Sequence, residues 1–276
     1  MSKLQKILVR ARRQVFSEMV GNNPSIFHGE GYDFIEMREY QHGDDIRHID
    51  WNTTAKMQRP YIKIFREERE LNVVLASMLS GSVHFGSKRF KQDVIAELVA
   101  LLSFSVLRNG DLLNHFIFAD KMYTHDRPSK KIFAVQKYVE SVLNFDALHK
   151  TSNYKLMAET LFKRLKRRSL IILIGDFFEL PDFRLLAKKH EVVAIIVRDR
   201  LEEHPPAMGF SSLSDPESGA LIEGDFNRST VNAYAAKVAA HDHQLYERFR
   251  KDQVRFTKVY TDDVSSVKLR RLFEGR

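Results

Sequence analysis

Residues 71–82, Leu-Asn-Val-Val-Leu-Ala-Ser-Met-Leu-Ser-Gly-Ser, constrain the fold more than any other stretch of the chain. They open as a short apolar run with two adjacent β-branched residues, the pattern of a strand covered on both faces. They end in Ser80-Gly81-Ser82, small residues that let the chain turn sharply and leave two hydroxyls at the strand tip. Gly86 and Ser87 follow, then a long helical pattern. In an open α/β sheet, ligands bind beyond the carboxyl ends of the strands, so this tip is the first candidate for a site.

The chain after the tip repeats the same alternation. Phe90–Leu107 carries a helical face of Val94, Leu98, Leu101 and Leu102, and Asn109-Gly110 ends it. Strands are expected at 111–119, 170–174, 192–197 and 254–260, with helices at 129–143, 153–167, 181–189, 229–251 and 262–273. Strands alternating with helices predict an α/β fold, a mainly parallel sheet flanked by helices and joined by right-handed crossovers. Residues 210–215 and 220–224, split by Pro216-Glu217-Ser218-Gly219, read as a hairpin inserted near 209–225. The expected division is an N-terminal helix and motif segment over 1–69, packed on a main domain over 70–276.

Composition removes several function classes. Cysteine is absent, which excludes disulfides, thiolate catalysis and Cys-ligated zinc, and fits a cytoplasmic location. A net charge of +8 over 276 residues permits an anionic partner without demanding one. No run reaches the roughly 18 apolar residues of a membrane span. Leu4, Ile7, Leu8, Ala11 and Val15 share one helical face with basic residues elsewhere. That pattern reads as a helix packed on its own domain, or as a basic amphipathic helix that touches a membrane through residues 3–16. Nucleotide-binding Gly-rich loops, His-Glu-x-x-His and Gly-x-Ser-x-Gly are all missing, so no catalytic residue is assigned and no enzyme is expected. The basic run Lys163–Arg168 reads as a solvated helix end, or as a patch for nucleic acid or an acidic partner.

The segment before the strand is the least ordinary part. Asp44, Asp45 and Asp50 lie within seven residues, interleaved with Arg47 and His48 and followed by Trp51, the single tryptophan. Interleaved arginines would repel a cation, so an Arg–Asp network including Arg38, at least half-buried and joining this segment to the sheet, is expected. Tyr61–Phe65 reads as a strand. The run Gly29-x-Gly31-x-x-Phe34-x-x-x-Arg38-x-Tyr40-x-x-Gly43-Asp44-Asp45-x-Arg47-x-Ile49-Asp50-Trp51 resembles the bacterial domain-of-unknown-function family 58. The rest of the chain follows in the order of that family.

The resemblance implies that the later part is similar to a von Willebrand factor A domain. It also implies a non-enzymatic adaptor whose partner is a MoxR-type AAA+ ATPase, acting in assembly or maturation of protein complexes. Such domains hold Mg²⁺ through Asp-x-Ser-x-Ser, a Thr from a second loop and an Asp from a third. Mapped onto this chain, Ser80, Ser82 and Asp176 match, Thr151 or Ser152 serves the second loop, and Met78 replaces the first Asp. Mg²⁺ dehydrates reluctantly and needs charged ligands. The expectation is therefore no cofactor, or Mg²⁺ bound weakly at a degenerate site. The alternative function is a nucleic-acid-associated binder or enzyme using the carboxylates at 44–50 and the basic clusters. Against it stands the expectation of no nucleic-acid partner.

Overall fold

The structure is a computed structural model and describes residues 2–17, 33–66 and 70–274. The chain divides into two compact units, one holding the N-terminal helix and everything from Asn72 on, the other the stretch between them up to Leu71.

Helix α1 (Lys3–Ser17) opens the chain. The intervening unit contains β1 (Asp33–Glu39), α2 (Trp51–Met57) and β2 (Tyr61–Arg66), with β1 and β2 antiparallel. The larger unit continues through β3 (Asn72–Met78), α3 (Lys91–Arg108), β4 (Leu112–Phe118), β5 (Met122–His125), α4 (Ile132–Leu143) and α5 (Tyr154–Arg164). It ends with β6 (Leu170–Gly175), α6 (Arg184–Lys189), β7 (Glu191–Arg198), α7 (Arg200–Glu203), β8 (Gly209–Ser214), β9 (Leu221–Phe226), α8 (Arg228–Lys251), β10 (Arg255–Tyr260) and α9 (Ser265–Glu274).

Six strands form the central sheet in the order β10-β7-β6-β3-β4-β5. Every neighbouring pair is parallel except β4 with β5, which closes one edge antiparallel. The fold is therefore the expected α/β sheet with helices on its faces. The short edge strand β5 and helices α2 and α7 lie outside the sequence expectation, because each is too short to show a period. Counted within the sheet, the order is that of a doubly wound fold, with strands added outward in one direction from β3 and in the other from β6, the two running parallel.

Alternation along β3 explains both faces. Val74, Ala76 and Met78 enter an apolar core with Tyr154, Met157 and Leu161 of α5, Leu186 of α6, and Leu245 and Phe249 of α8. Val73, Leu75 and Ser77 point the other way, and Ser77 Oγ lies 3.1 Å from His115 Nε2. Helix α3 is buried almost all round, its apolar residues from Val94 to Val106 covering most of its circumference and its polar Lys91, Gln92 and Glu97 buried with partners. Burial lowers the pKa of His115 to about 4, against the weaker opposing pull of Asp126, so the ring is neutral.

Helix α1 belongs with this unit, and this regroups the expected 1–69 segment. Ala11 and Val15 are buried, Lys3 pairs with Asp93 of α3, and Arg108 Nη1 donates to the Val15 carbonyl at 2.9 Å. Its apolar face is spent on its own domain. No helix among the described residues is long and apolar enough to cross a membrane.

Gly175 ends β6 where no side chain fits. A Cβ there would lie 2.4 Å from Tyr154 Oη and 3.0 Å from Met78 Cβ. Tyr154 Oη accepts from the Phe177 amide at 2.9 Å, and its ring stacks on Phe177 at 4.6 Å between centroids. Phe177 itself has φ 54°, a strained conformation for a bulky residue that these contacts hold in place. Gly175→Ala is expected to displace Tyr154 and lower stability by about 1–3 kcal/mol, read by urea or thermal unfolding.

Candidate functional site

The switch point between β3 and β6 is where the sheet offers a crevice. Ser80 and Ser82 leave the tip of β3, and Asp176 leaves the tip of β6. Ser80 Oγ and Ser82 Oγ are 2.9 Å apart, and Ser82 donates a short hydrogen bond to Asp176 Oδ2. Three of the expected residues therefore meet. Thr151 is exposed and Ser152 half-buried, and among the described residues no hydrogen bond ties either to this cluster. Met78 lies in the apolar core, 1% exposed, next to Tyr154, whose Oη donates to Asp176 Oδ1 at 3.4 Å.

Lys91, Glu202, Arg198, Phe178 and Glu217, which the sequence reading missed, surround this cluster. Lys91, the first residue of α3, is 1% exposed; its Nζ lies 3.4 Å from Asp176 Oδ2 and pairs with Glu202 of α7. Glu202 also accepts from the Asp199 amide at 2.8 Å, completing a capping box on α7. Arg198, at the end of β7, is fully buried, and its Nε donates to the Asp176 carbonyl at 2.6 Å. The Phe178 ring covers both cations, 3.3 Å from Arg198 Cζ and 5.5 Å from Lys91 Nζ.

Glu217, in the turn of the β8–β9 hairpin, lies near enough to Ser80 for the hydroxyl to act against the burial that raises its pKa. The turn is seated there by backbone. His149 N donates to Pro216 O at 3.0 Å, and Gly81 N donates to Lys150 O at 2.8 Å. A Cβ on Gly81 would lie 2.1 Å from Pro216 O, so only glycine lets the two loops touch. A sequence signal for Lys91 did exist. A lysine in the first turn of a long helix opposes the helix dipole, and such a position calls for nearby carboxylates.

The carboxylates around Lys91 are driven apart. Burial acts to raise Asp176, but Lys91, the Ser82 hydroxyl and Arg198 outweigh it and hold the carboxyl below its usual range. Burial raises Glu202 despite Lys91, and raises Glu217 despite Ser80. The chain Ser80–Ser82–Asp176 has two links and two hydroxyl protons. Ser82 donates to Asp176, which leaves its own oxygen free to accept from the Ser80 hydroxyl.

As arranged, these residues do not fit a divalent cation. An ammonium already sits against Asp176 and Glu202, and a second ion there would meet Lys91 and Arg198 at close range. Among the described residues, no group of three His, Cys, Asp or Glu is placed to hold a metal.

The motif segment is organised differently from expectation. Gly29 and Gly31 lie outside the described residues, and Phe34 pairs in register with Phe65 across β1 and β2. Instead of one buried network, the charges form three separate local pairs. Arg38 grips Asp44 with two bonds of 2.9 and 2.8 Å, Arg47 grips Asp45, and Lys63 pairs with Asp50. Each carboxylate is also engaged by backbone: Asp44 by Gln41 N, Asp45 by Arg47 N, and Asp50 by Thr53 N as the N-cap of α2.

These partners lower all three pKa values. The Arg38 bond leads for Asp44, the Arg47 bond for Asp45 and the Lys63 bond for Asp50, which falls to about 2. Tyr40 N donates to Pro60 O at 2.8 Å, and Gly43 has φ 106°. Trp51 is not a core residue: it is 71% exposed. The segment is held by short-range hydrogen bonds and the β1–β2 ladder, and its tryptophan points outward.

Comparison with known proteins follows this geometry. The model of the protein family of unknown function DUF58 matches residues 36–244, well over half the chain. The chain belongs to the DUF58 family. Uncharacterised proteins of Mycobacterium tuberculosis and Mycobacterium bovis are each 25% identical over 252 residues, covering 86% of this chain and 77% of theirs. Among solved structures, a conserved hypothetical protein BatB from Bacteroides thetaiotaomicron is 14% identical, covers 74% of this chain and 97% of its own, and gives a TM-score of 0.47. An aerotolerance-related membrane protein from Bacteroides fragilis is 13% identical with the same coverage and TM-score.

Restoring the missing carboxylate is therefore expected to fail as a repair. Met78→Asp places a charge among Val74, Tyr154 and Phe177 and should destabilise the chain by roughly 3–5 kcal/mol. Thermal melts in EDTA and in millimolar Mg²⁺ should show the same loss in both.

Proposed function

We propose that this DUF58 chain is a non-enzymatic, von Willebrand A-like interaction module, acting in the cytoplasm as an adaptor of a MoxR-type AAA+ ATPase. The reading draws on membership of the family and on the absence of a catalytic motif from the sequence. The observation that supports it best is the exposure of Trp51. A large aromatic held outward on a short helix, beside the charged pair Arg47–Asp45, is the make-up of an interface anchor with a polar rim. Ile46 and Met57 are also exposed on the same segment. Asp44, Asp45 and Asp50 each already hold a cationic partner, which leaves the carboxylate-based nucleic-acid reading without support.

Co-expression with the ATPase followed by size-exclusion chromatography, with and without a non-hydrolysable nucleotide, tests the partner. The wild type is expected to co-migrate in at least one nucleotide state. Trp51→Ala and Arg47→Glu are expected to abolish co-migration while leaving the melting temperature essentially unchanged, since neither side chain fills a core. Loss of stability in step with loss of binding would return these residues to a structural role. Nucleotide hydrolysis by the isolated chain would refute the non-enzymatic half.

A further inference from the structure

A buried ammonium at the amino end of a helix needs an explanation. Helix α3 runs 18 residues, and its first turn carries the positive end of the dipole, with the Lys91 and Asp93 amides already donating to the Phe85 and Phe90 carbonyls. Lys91 adds a full charge there while almost wholly removed from water. Packing alone does not require this, since Met or Leu would fill similar space without the desolvation penalty. What does require a cation is the other side of the contact. Asp176 is buried and shares the Lys91 ammonium with Glu202, and Ser82, bonded to Ser80, donates to Asp176. Two carboxylates converging beside the strand-tip hydroxyls repel one another unless a positive charge sits between them.

We propose that Lys91 is the resident cation of this site: its tethered ammonium supplies the charge that a bound divalent ion would otherwise supply, and the strand-tip cluster is assembled without metal. The Phe178 ring shields the ammonium from above, and Arg198 holds the Asp176 backbone from behind. The hairpin turn closes the front through Glu217 and the Gly81–Pro216 contact. A tethered cation cannot be removed by chelation or diluted away, so the cluster has one charge state in cells rich or poor in divalent ions. The inference is independent of the adaptor reading and survives if no ATPase binds.

Thermal melts of the full chain test it at fixed ionic strength. Wild type is expected to melt at the same temperature in EDTA, in Mg²⁺ and in Mn²⁺. Lys91→Met is expected to lose on the order of 10 °C, because it strands buried carboxylates. Lys91→Met combined with Asp176→Asn is expected to recover a substantial part of that loss, since the stranded charge is then gone. A wild-type melt that rises with either metal overturns the proposal. So does a Lys91→Met chain that melts like wild type, or a double variant that recovers nothing, which would make Lys91 a packing residue only. Should Lys91→Met not fold, lysine-selective ¹⁵N labelling of the wild type decides. A slowly exchanging Lys91 ammonium signal, unmoved by Mg²⁺, supports the assignment; its absence or its displacement by Mg²⁺ overturns it.

Discussion

The contact between Lys91 and Asp176 ties the sheet to the helical layer at the switch point between β3 and β6. Asp176 leaves β6, Lys91 begins α3, and Glu202 begins the descent from β7 through α7. Three segments far apart in sequence are thus fixed by one ammonium. Its energetic sign is set by context. A buried pair gains little over a well-packed apolar contact, but removing one partner leaves the other charged in a low-dielectric surround. The arrangement therefore specifies where the loops end more than it adds stability. Asp199 extends the same logic outward, accepting from Ser87 N at 2.8 Å and from Thr261 and so fixing the loop before α3 against the end of β10.

The two units use charge in opposite ways. In the sheet unit, charged groups such as Lys258, Asp242, Glu203 and Arg198 are largely buried and linked to one another over long sequence separations. Burial opposes the charge on Lys258, yet Asp242, Glu203 and Tyr246 more than compensate and drive its pKa above the usual lysine value. In the motif segment, Arg38 with Asp44 and Arg47 with Asp45 are only six and two residues apart. Local pairs of this kind cost little chain entropy to form and shape a loop without a core. That difference explains why the motif can keep its aromatic outside. A segment stapled by neighbours does not need Trp51 for stability.

How much of this was legible in the sequence follows from the range of each interaction. The strands at 170–174 and 192–197 were visible because continuous β-branched runs report burial on both faces wherever they occur. The tip residues Ser80, Ser82 and Asp176 were visible because each directly follows such a run. Lys91, Glu202 and Glu217 were not, because nothing local to them says which strand end they meet. Their partners lie 85 and 111 residues from Lys91. The motif segment failed in the opposite direction. Alternating charges look the same in a sequence whether they interlock in one network or pair off locally, and exposure of Trp51 depends on which occurs.

Gly81 shows how one backbone contact decides what the site can be. Without a side chain there, Pro216 can rest on the β3 tip and bring Glu217 to Ser80. With Lys91 inside and Glu217 in front, both the cation and the outer carboxylate of the cluster come from this chain. A strand tip that supplies both has no unmet charge to offer a partner, so recognition is better served by surface that is not already engaged. The exposed aromatic of the motif segment is such a surface, and it is stabilised by pairs that binding need not break. In the proposed reading, the sheet edge acts as a fixed scaffold and the selective contacts fall to exposed residues such as Trp51.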